Sequence, residues 1–344
     1  MAIFKVAVTG CGGMANHWVE YANSREDTEI VALVDLYPEQ ARTMAERHGL
    51  ACGQYTDLAA AIQQSGANLV FDVTVPAARH SVIRTALQAG CDVWSEKPMA
   101  VSMDEAQDLL QASEAADKMY AVMQNRRFDP NIRAFRDLIA AGAIGKVGHL
   151  QADFYIGAHF GGFRDVMDSP LLLDMAIHTF DQARFILGAD PVSVYCQEFN
   201  PPGSWYKGNA SAICIFEMSD GSVFCYQGSW CAEGFNTSWE GNWRAVGSGG
   251  TALWDGTDRP SVADVVAPDQ PPAFTLKTER LTAKPTYAGR TGHDGCLDDM
   301  FEALLQGRRA ETDCRDNIRS IAMVLGAVES AASGRKVDLS AIGR

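Results

Sequence analysis

An apolar run, Ile3-Phe4-Lys5-Val6-Ala7-Val8, leads through one residue into Gly10-Cys11-Gly12-Gly13-Met14-Ala15, and residues 15–21 then have the composition of a helix. This strand, glycine turn and helix constrain the fold more than any other stretch. The pattern is Gly-x-Gly-x-x-Ala. Gly10 permits the tight turn, Gly12 lets backbone come close to a pyrophosphate, and the small Ala15 lets helix and strand pack. The anion would rest on the helix N-terminus, where N–H groups and the helix dipole favour negative charge. The next apolar run, Ile30-Val31-Ala32-Leu33-Val34-Asp35, ends in an acid about 20 residues further on, the spacing of a carboxylate that accepts from ribose hydroxyls. Asp35 would also repel a 2′-phosphate, and neither Leu36 nor Tyr37 offers a compensating arginine. The expected cofactor is NAD in preference to NADP.

The alternation continues. Helices are expected over 38–48 and 58–64, a strand over 69–74 that includes Thr74, and a helix opened by Pro76 that carries His80. A strand over 91–94, a helix over 104–116 and a strand over 119–123 follow. Strands and helices at this spacing predict parallel βαβ units. His80, one turn into its helix, is a candidate to face the cofactor, with a surface or capping role equally open. The strand ending in Trp94-Ser95-Glu96-Lys97-Pro98 stands out. Pro98 has no N–H and biases Lys97 towards an extended conformation, so the strand stops there. A cation is thereby held at the carboxyl end of a strand, where open α/β sheets bind ligands.

A sequence of 344 residues accommodates two domains. The formal net charge of −14 argues against nucleic acid or anionic membrane partners, which need a basic footprint. No apolar run reaches membrane-spanning length, and no basic leader precedes the first strand, so a cytoplasmic protein is expected. The nine cysteines include no Cys-x-x-Cys pair, which argues against a zinc clip or redox pair. No metal is expected, and Cys91, Cys214 and Cys225 read as reduced core residues.

The texture changes at Gln124-Asn125-Arg126-Arg127. The boundary is placed there, with residues 1–124 as the dinucleotide domain and 125–344 as a substrate and oligomerisation domain whose terminal helices can pack back on the first. A helix is expected over 131–140. Strands are expected over 192–199, 210–218 and 223–231, the last two antiparallel about the turn Ser219-Asp220-Gly221-Ser222. Residues 268–272 read as a loop, and 294–305 and 316–332 as helices. The informative element is Ser169-Pro170-Leu171-Leu172-Leu173-Asp174-Met175-Ala176-Ile177-His178-Thr179-Phe180-Asp181. Ser169 suits an N-cap and Pro170 the first helical position, with the helix ending at Gly188. Asp174 and His178 are four apart and share a helical face, and Asp181 lies one turn on. Two acids and a histidine on a buried helix are either a structural pair closing a polar gap or a functional group.

Taken together, Gly10-x-Gly12-x-x-Ala15, Asp35, Glu96-Lys97-Pro98 and Asp174-x-x-x-His178-x-x-Asp181 resemble the Gfo/Idh/MocA oxidoreductases, the glucose–fructose oxidoreductase and inositol dehydrogenase group, over nearly the whole sequence. The resemblance implies an α/β protein: an N-terminal Rossmann domain with a doubly wound parallel sheet, and a C-terminal α+β domain with a large, mostly antiparallel open sheet that often forms the oligomer interface. It implies that Lys97, Asp174 and His178 line the substrate site beside the nicotinamide. His178 matches the proton-transfer residue, Lys97 the lysine on the reacting oxygen, and Asp174 the orienting carboxylate. Asn125 and Arg126 lie where relatives often place cofactor or substrate contacts. The expected cofactor contacts are thus Gly10, Gly12, Gly13, Met14, Asp35, Thr74, Pro76, His80, Glu96, Lys97 and Asn125, and the expected substrate contacts Lys97, Arg126, Asp174 and His178. Ser169-Pro170-Leu171 stands where relatives often have a glycine run, and Ala176 where glycine is common, which leaves the substrate open.

The expected reaction is hydride transfer between NAD and a secondary alcohol of a sugar, polyol or cyclitol, by a homodimer or homotetramer. Three alternatives stand: transient oxidation with return of the hydride, giving net hydrolysis or epimerisation; a non-catalytic NAD-linked sensor; and an amino-acid or pyrrole reductase on a similar plan. Trp205, Tyr206, Trp230, Trp239 and Trp243 are candidates to stack on a sugar face, against core or interface roles.

Overall fold

The computed structural model describes residues 3–271 and 273–342. Two compact units make up the protein. The first comprises Met1–Gln124 with Cys296–Ile321, and the second Asn125–Gly295 with Ala322–Ile342. No helix among the described residues is long and apolar enough to cross a membrane.

In the first unit, β1 (Phe4–Thr9), α1 (Ala15–Asn23), β2 (Thr28–Val34), α2 (Pro38–His48), β3 (Gly53–Tyr55), α3 (Leu58–Ser65), β4 (Leu69–Asp72), α4 (Pro76–Gln88), β5 (Asp92–Ser95), α5 (Met103–Ala116) and β6 (Tyr120–Val122) follow in turn. Among the described residues the six strands form one sheet in the order β3-β2-β1-β4-β5-β6, parallel throughout. This is the Rossmann order, reversing beside β1. The helices are punctuated locally. Asp57 accepts from Ala60 N at 2.7 Å and Ser102 from Glu105 N at 3.2 Å, while Gly49 and Gly66 end α2 and α3 in the left-handed conformation. The β4 residues are buried on both faces, as a central parallel strand requires. β3 is a short strand the sequence did not announce, and β4 stops at Asp72, leaving Thr74 in the turn beyond it.

An aromatic cluster fills one side of this sheet. Trp18 of α1 meets Phe71 at 5.0 Å between centroids, Phe71 stacks on Trp94 at 5.4 Å, and Phe301 stands edge-on to Trp94 at 4.1 Å. Phe301 lies on α8 (Gly292–Gln306), so the 296–321 segment belongs to this core. Each ring is fully buried, worth about 1.5–3 kcal/mol.

The second unit contains α6 (Pro130–Ala140), β7 (Val147–Tyr155), a π-helical segment Leu171–Ala176 running into α7 (Ile177–Leu187), β8 (Pro191–Phe199), β9 (Ser211–Met218), β10 (Val223–Ser229), β11 (Asn242–Gly247), β12 (Gly250–Trp254), β13 (Val262–Val266) and β14 (Thr278–Thr282). The later part of α9 (Cys314–Ser333) and β15 (Val337–Asp338) complete it. Among the described residues the sheet has nine strands in the order β14-β13-β12-β11-β7-β10-β9-β8-β15. Neighbours are antiparallel except β7 and β10, which run parallel. β9 and β10 pair antiparallel, as the turn at 219–222 predicts. Residues 268–271 of the expected loop lie outside helix and strand, and Pro272 lies outside the described residues.

Phe180 of α7 covers the inner face of this sheet, 4.9 Å from Phe216 and 5.2 Å from Tyr226 between ring centroids. The other face carries polar Gln151, Asp153 and Gln227 at its centre and an apolar patch on β8 and β9. Tyr195 and Phe199 on β8 and Ile213 and Ile215 on β9 are each exposed. Cys91 and Cys214 are buried core residues, whereas Cys225 is half-buried rather than core.

Candidate active site

The glycine turn is built by close approach. Gly10 has φ +83°, and a Cβ added there would meet the backbone of Val73 and Thr74 at 2.8 Å. Only glycine lets the β1 and β4 strand ends come together this closely. At Gly12 and Gly13 a Cβ would meet nothing within 4 Å, so the mouth of the turn is open space. Asp35 is fixed against the turn: its Oδ2 accepts from Cys11 N at 2.8 Å and its Oδ1 from Tyr37 N at 2.9 Å. Leu36 and Tyr37, which follow it, and Met14 of the turn are exposed. An open backbone cradle at a helix N-terminus beside an anchored carboxylate fits a dinucleotide. Gly12, Gly13 and Asp35 would hold it.

The Glu96-Lys97-Pro98 turn is clamped on several sides. Trp18 Nε1 donates to Glu96 Oε1 at 2.9 Å. Tyr120 Oη donates to the Met99 carbonyl at 3.1 Å. Arg79, 1% exposed, donates through Nη1 to the Pro98 carbonyl at 2.7 Å, through Nη2 to the Thr74 carbonyl at 2.6 Å, and through Nε to Asp72 Oδ2 at 3.1 Å. Asp72, fully buried, also accepts from Thr74 N at 3.0 Å and Thr74 Oγ1 at 2.5 Å. The Lys97–Pro98 peptide is cis and Lys97 is half-buried. Arg79 was missed by sequence reasoning, which named its neighbour His80 as a candidate. The ring of His80 meets Asp108 Oδ2 of α5 at 2.8 Å, in a partly exposed cluster with Arg84. Of the two, Arg79 is the one that reaches the strand ends.

The second unit carries the other candidates. The helix bearing Asp174 and His178 is not α-helical throughout, as the sequence had suggested. Leu171–Ala176 is π-helical and α-geometry begins at Ile177. Insertions of this kind recur at functional sites. Ser169 does not cap it: Pro170 occupies the cap position and Ser169 Oγ donates to Glu198 Oε2 at 2.8 Å. Burial pushes the Glu198 carboxyl up to about 7. From Leu171 to Ile186 every side chain is buried except Leu173, Asp174 and His178, which are half-buried. Asp174 and His178 are thus the polar side chains of this stretch that are not fully buried. Asp181 faces the other way, into a buried two-pronged pair with Arg127 at 2.6 and 2.7 Å, and is structural.

Asp174 Oδ2 accepts from Arg164 Nε at 2.6 Å. Arg164 lies in the short 3₁₀ segment Gly162–Val166, a region without regular periodicity that gave no sequence signal. Arg126 bonds the Trp239 carbonyl through Nη1 and approaches Met175 Sδ at 3.8 Å through Nη2. Its Nε lies 3.7 Å from Glu240, whose other oxygen accepts from Gln182 Nε2 at 2.7 Å. Burial presses Arg126 down and Glu240 up, and each opposes the shift in the other. Asn125 Nδ2 meets His293 Nδ1 at 3.3 Å. Within the first unit, then, Gly10, Asp35, Thr74 and Lys97 gather at the carboxyl ends of parallel strands. Within the second, Arg126, Asp174 and His178 gather at the π-helical turn.

Residues 4–124 match the model of an oxidoreductase family with an NAD-binding Rossmann fold, which defines the class: an NAD-binding oxidoreductase. Residues 132–253 match the C-terminal domain model of the same group. The chain belongs to the Gfo/Idh/MocA oxidoreductase family. It is 25% identical to a D-apiose dehydrogenase of Rhizobium rhizogenes over 99% of each protein. It is 28% identical to an inositol 2-dehydrogenase of Rhizobium meliloti over 55% of this protein and 57% of that one. An Agrobacterium radiobacter oxidoreductase crystallised with NAD+, L-tartaric acid and magnesium shares the fold, with a TM-score of 0.85 and 24% identity over 99% of each protein.

Proposed function

We propose that this oxidoreductase is an NAD-dependent dehydrogenase of a secondary alcohol on a sugar, polyol or cyclitol. The observation that carries the reading is the half-buried placement of Asp174 and His178 on an otherwise largely buried helix. The relatives named as apiose and inositol dehydrogenases support the substrate class. Bound NAD supplies the hydride acceptor. In the oxidative direction His178 takes the hydroxyl proton, Asp174 orients the alcohol and the imidazole, and Lys97 stabilises the developing alkoxide as a fixed cation. The clamp of Arg79, Trp18 and Tyr120 supports that role by holding the Lys97 turn. Asp35, already bonded by two backbone N–H groups, has lone pairs left for ribose hydroxyls and repels a 2′-phosphate, which supports NAD over NADP.

The exposed apolar patch on β8 and β9 supports a homo-oligomer in which this face covers its counterpart on a second copy. Nine free cysteines support a reducing, cytoplasmic setting. The test is a screen of sugars and cyclitols with NAD and with NADP, read at the absorbance of the reduced nicotinamide. NADH formation with a polyol is expected. Turnover without net NADH would point to a redox-neutral cycle, and a preference for NADP would contradict the role of Asp35.

A further inference from the structure

Of the five aromatic residues that sequence offers as sugar-stacking candidates, packing consumes most. Tyr206, Trp230 and Trp243 are buried, and Trp205 lies flat on His159 at 3.6 Å between ring centroids. Trp239 remains 48% exposed. Beside it lies a ring the sequence did not single out: Phe160, 49% exposed, with its centroid 6.2 Å from that of Trp239 and the planes tilted by 49°. Buried Trp230 backs Phe160 at 5.4 Å.

An arginine ties the Phe160 ring to the π-helical turn, and a second holds the backbone of Trp239 beside it. The Arg164 guanidinium lies 5.0 Å over Phe160, and its Nε holds Asp174. The carbonyl of Trp239 accepts from Arg126, which reaches Met175. The Phe160 ring and the Trp239 backbone are therefore linked to consecutive residues, 174 and 175. The charges are matched as well: Arg164 faces Asp174, and Arg126 faces Glu240. A tilted pair of aromatic faces beside two paired charges suits a rigid ring whose axial C–H bonds meet the negative π faces. It does not suit a carboxylate or phosphate, nor an acyclic molecule without a fixed apolar face.

We propose that Phe160 and Trp239 form a stacking subsite that selects a neutral cyclic polyol over acyclic and anionic ones. The proposal rests on the reading of Asp174 as a site residue. The test is calorimetric titration of the full-length protein, in the presence of NAD, with myo-inositol, D-glucose, the acyclic polyol D-glucitol and D-glucuronate. At least one of the two neutral rings should bind more tightly than D-glucitol and D-glucuronate. Phe160→Leu and Trp239→Leu should each weaken that ring about tenfold, while Trp239→Phe keeps most of the affinity. An unchanged NAD titration confirms that each variant is folded, and if Phe160→Leu does not fold, the Trp239 pair carries the test. Rings that bind no better than D-glucitol or D-glucuronate, or leucine variants that bind them as the parent does, would overturn the proposal. Selective ring binding without NADH formation would sustain the subsite and remove the dehydrogenase reading. NADH formation with unselective binding would do the reverse.

Discussion

Replacing Arg79 by methionine keeps most of the side chain's length and removes its charge and all of its donors. Three bonds go at once: those to Asp72, to the Thr74 carbonyl and to the Pro98 carbonyl. The larger cost is Asp72, left as a buried carboxylate without its cation. Breaking one side of such a pair costs about 3–5 kcal/mol. The two Thr74 donors still on Asp72 put the expectation at the lower end, about 3 kcal/mol. Asp72→Asn in the Arg79→Met background should recover part of this, because no buried charge is then left alone. The pH dependence follows. Burial raises the Asp72 carboxyl and Arg79 is the first influence pulling it back, so without Arg79 its folded pKa rises further above the unfolded value of about 4. A raised carboxyl costs stability as pH climbs from the unfolded pKa towards the folded one, so the deficit is smallest in acid and grows towards neutrality. Denaturant unfolding at pH 5 and pH 7.5 measures both effects. An Arg79→Met protein within 1 kcal/mol of the parent, or a double variant no more stable than the single, would refute the clamp.

Three further substitutions probe the glycine turn and the second unit. Gly10→Ala should destabilise the fold by about 1–3 kcal/mol, since a Cβ there meets backbone and the φ is positive. Gly12→Ala, facing open space, should melt close to the parent yet bind NAD at least about tenfold more weakly by titration. Glu198, raised to about 7, favours the folded state most below its unfolded pKa of about 4.3 and loses that contribution as pH rises towards 7. Thermal melts between pH 5 and 8 should therefore show a decline that Glu198→Gln flattens, and an unaltered slope would contradict the assignment.

Much of the first unit could be read from the sequence because its central strands, β4 above all, are buried on both faces and stand as apolar runs between helices. Gly10 and Asp35 announce themselves by spacing, and the carboxylate does bond the turn through Cys11 N. The second sheet was less legible. β7 pairs parallel with the distant β10, a partnership no local pattern encodes, and β14 is exposed at every position. The π-helical turn escaped notice because Leu171–Ala176 has the composition of an α-helix, and the extra residue per turn is a tertiary outcome. Arg79 and Arg164 escaped for a related reason. Arginines are ordinarily surface residues, and their carboxylate and carbonyl partners are brought to them by the fold.

The central claim is that His178 moves a proton in a hydride transfer assisted by Lys97. The direct measurement is steady-state NADH formation on the best polyol by the parent, His178→Ala and Lys97→Met proteins, with NAD binding titrated alongside. Turnover should fall about 10²–10⁴-fold in His178→Ala while the NAD dissociation constant stays within a few-fold of the parent's, and Lys97→Met should lose turnover in the same way. Undiminished turnover in His178→Ala would contradict the account.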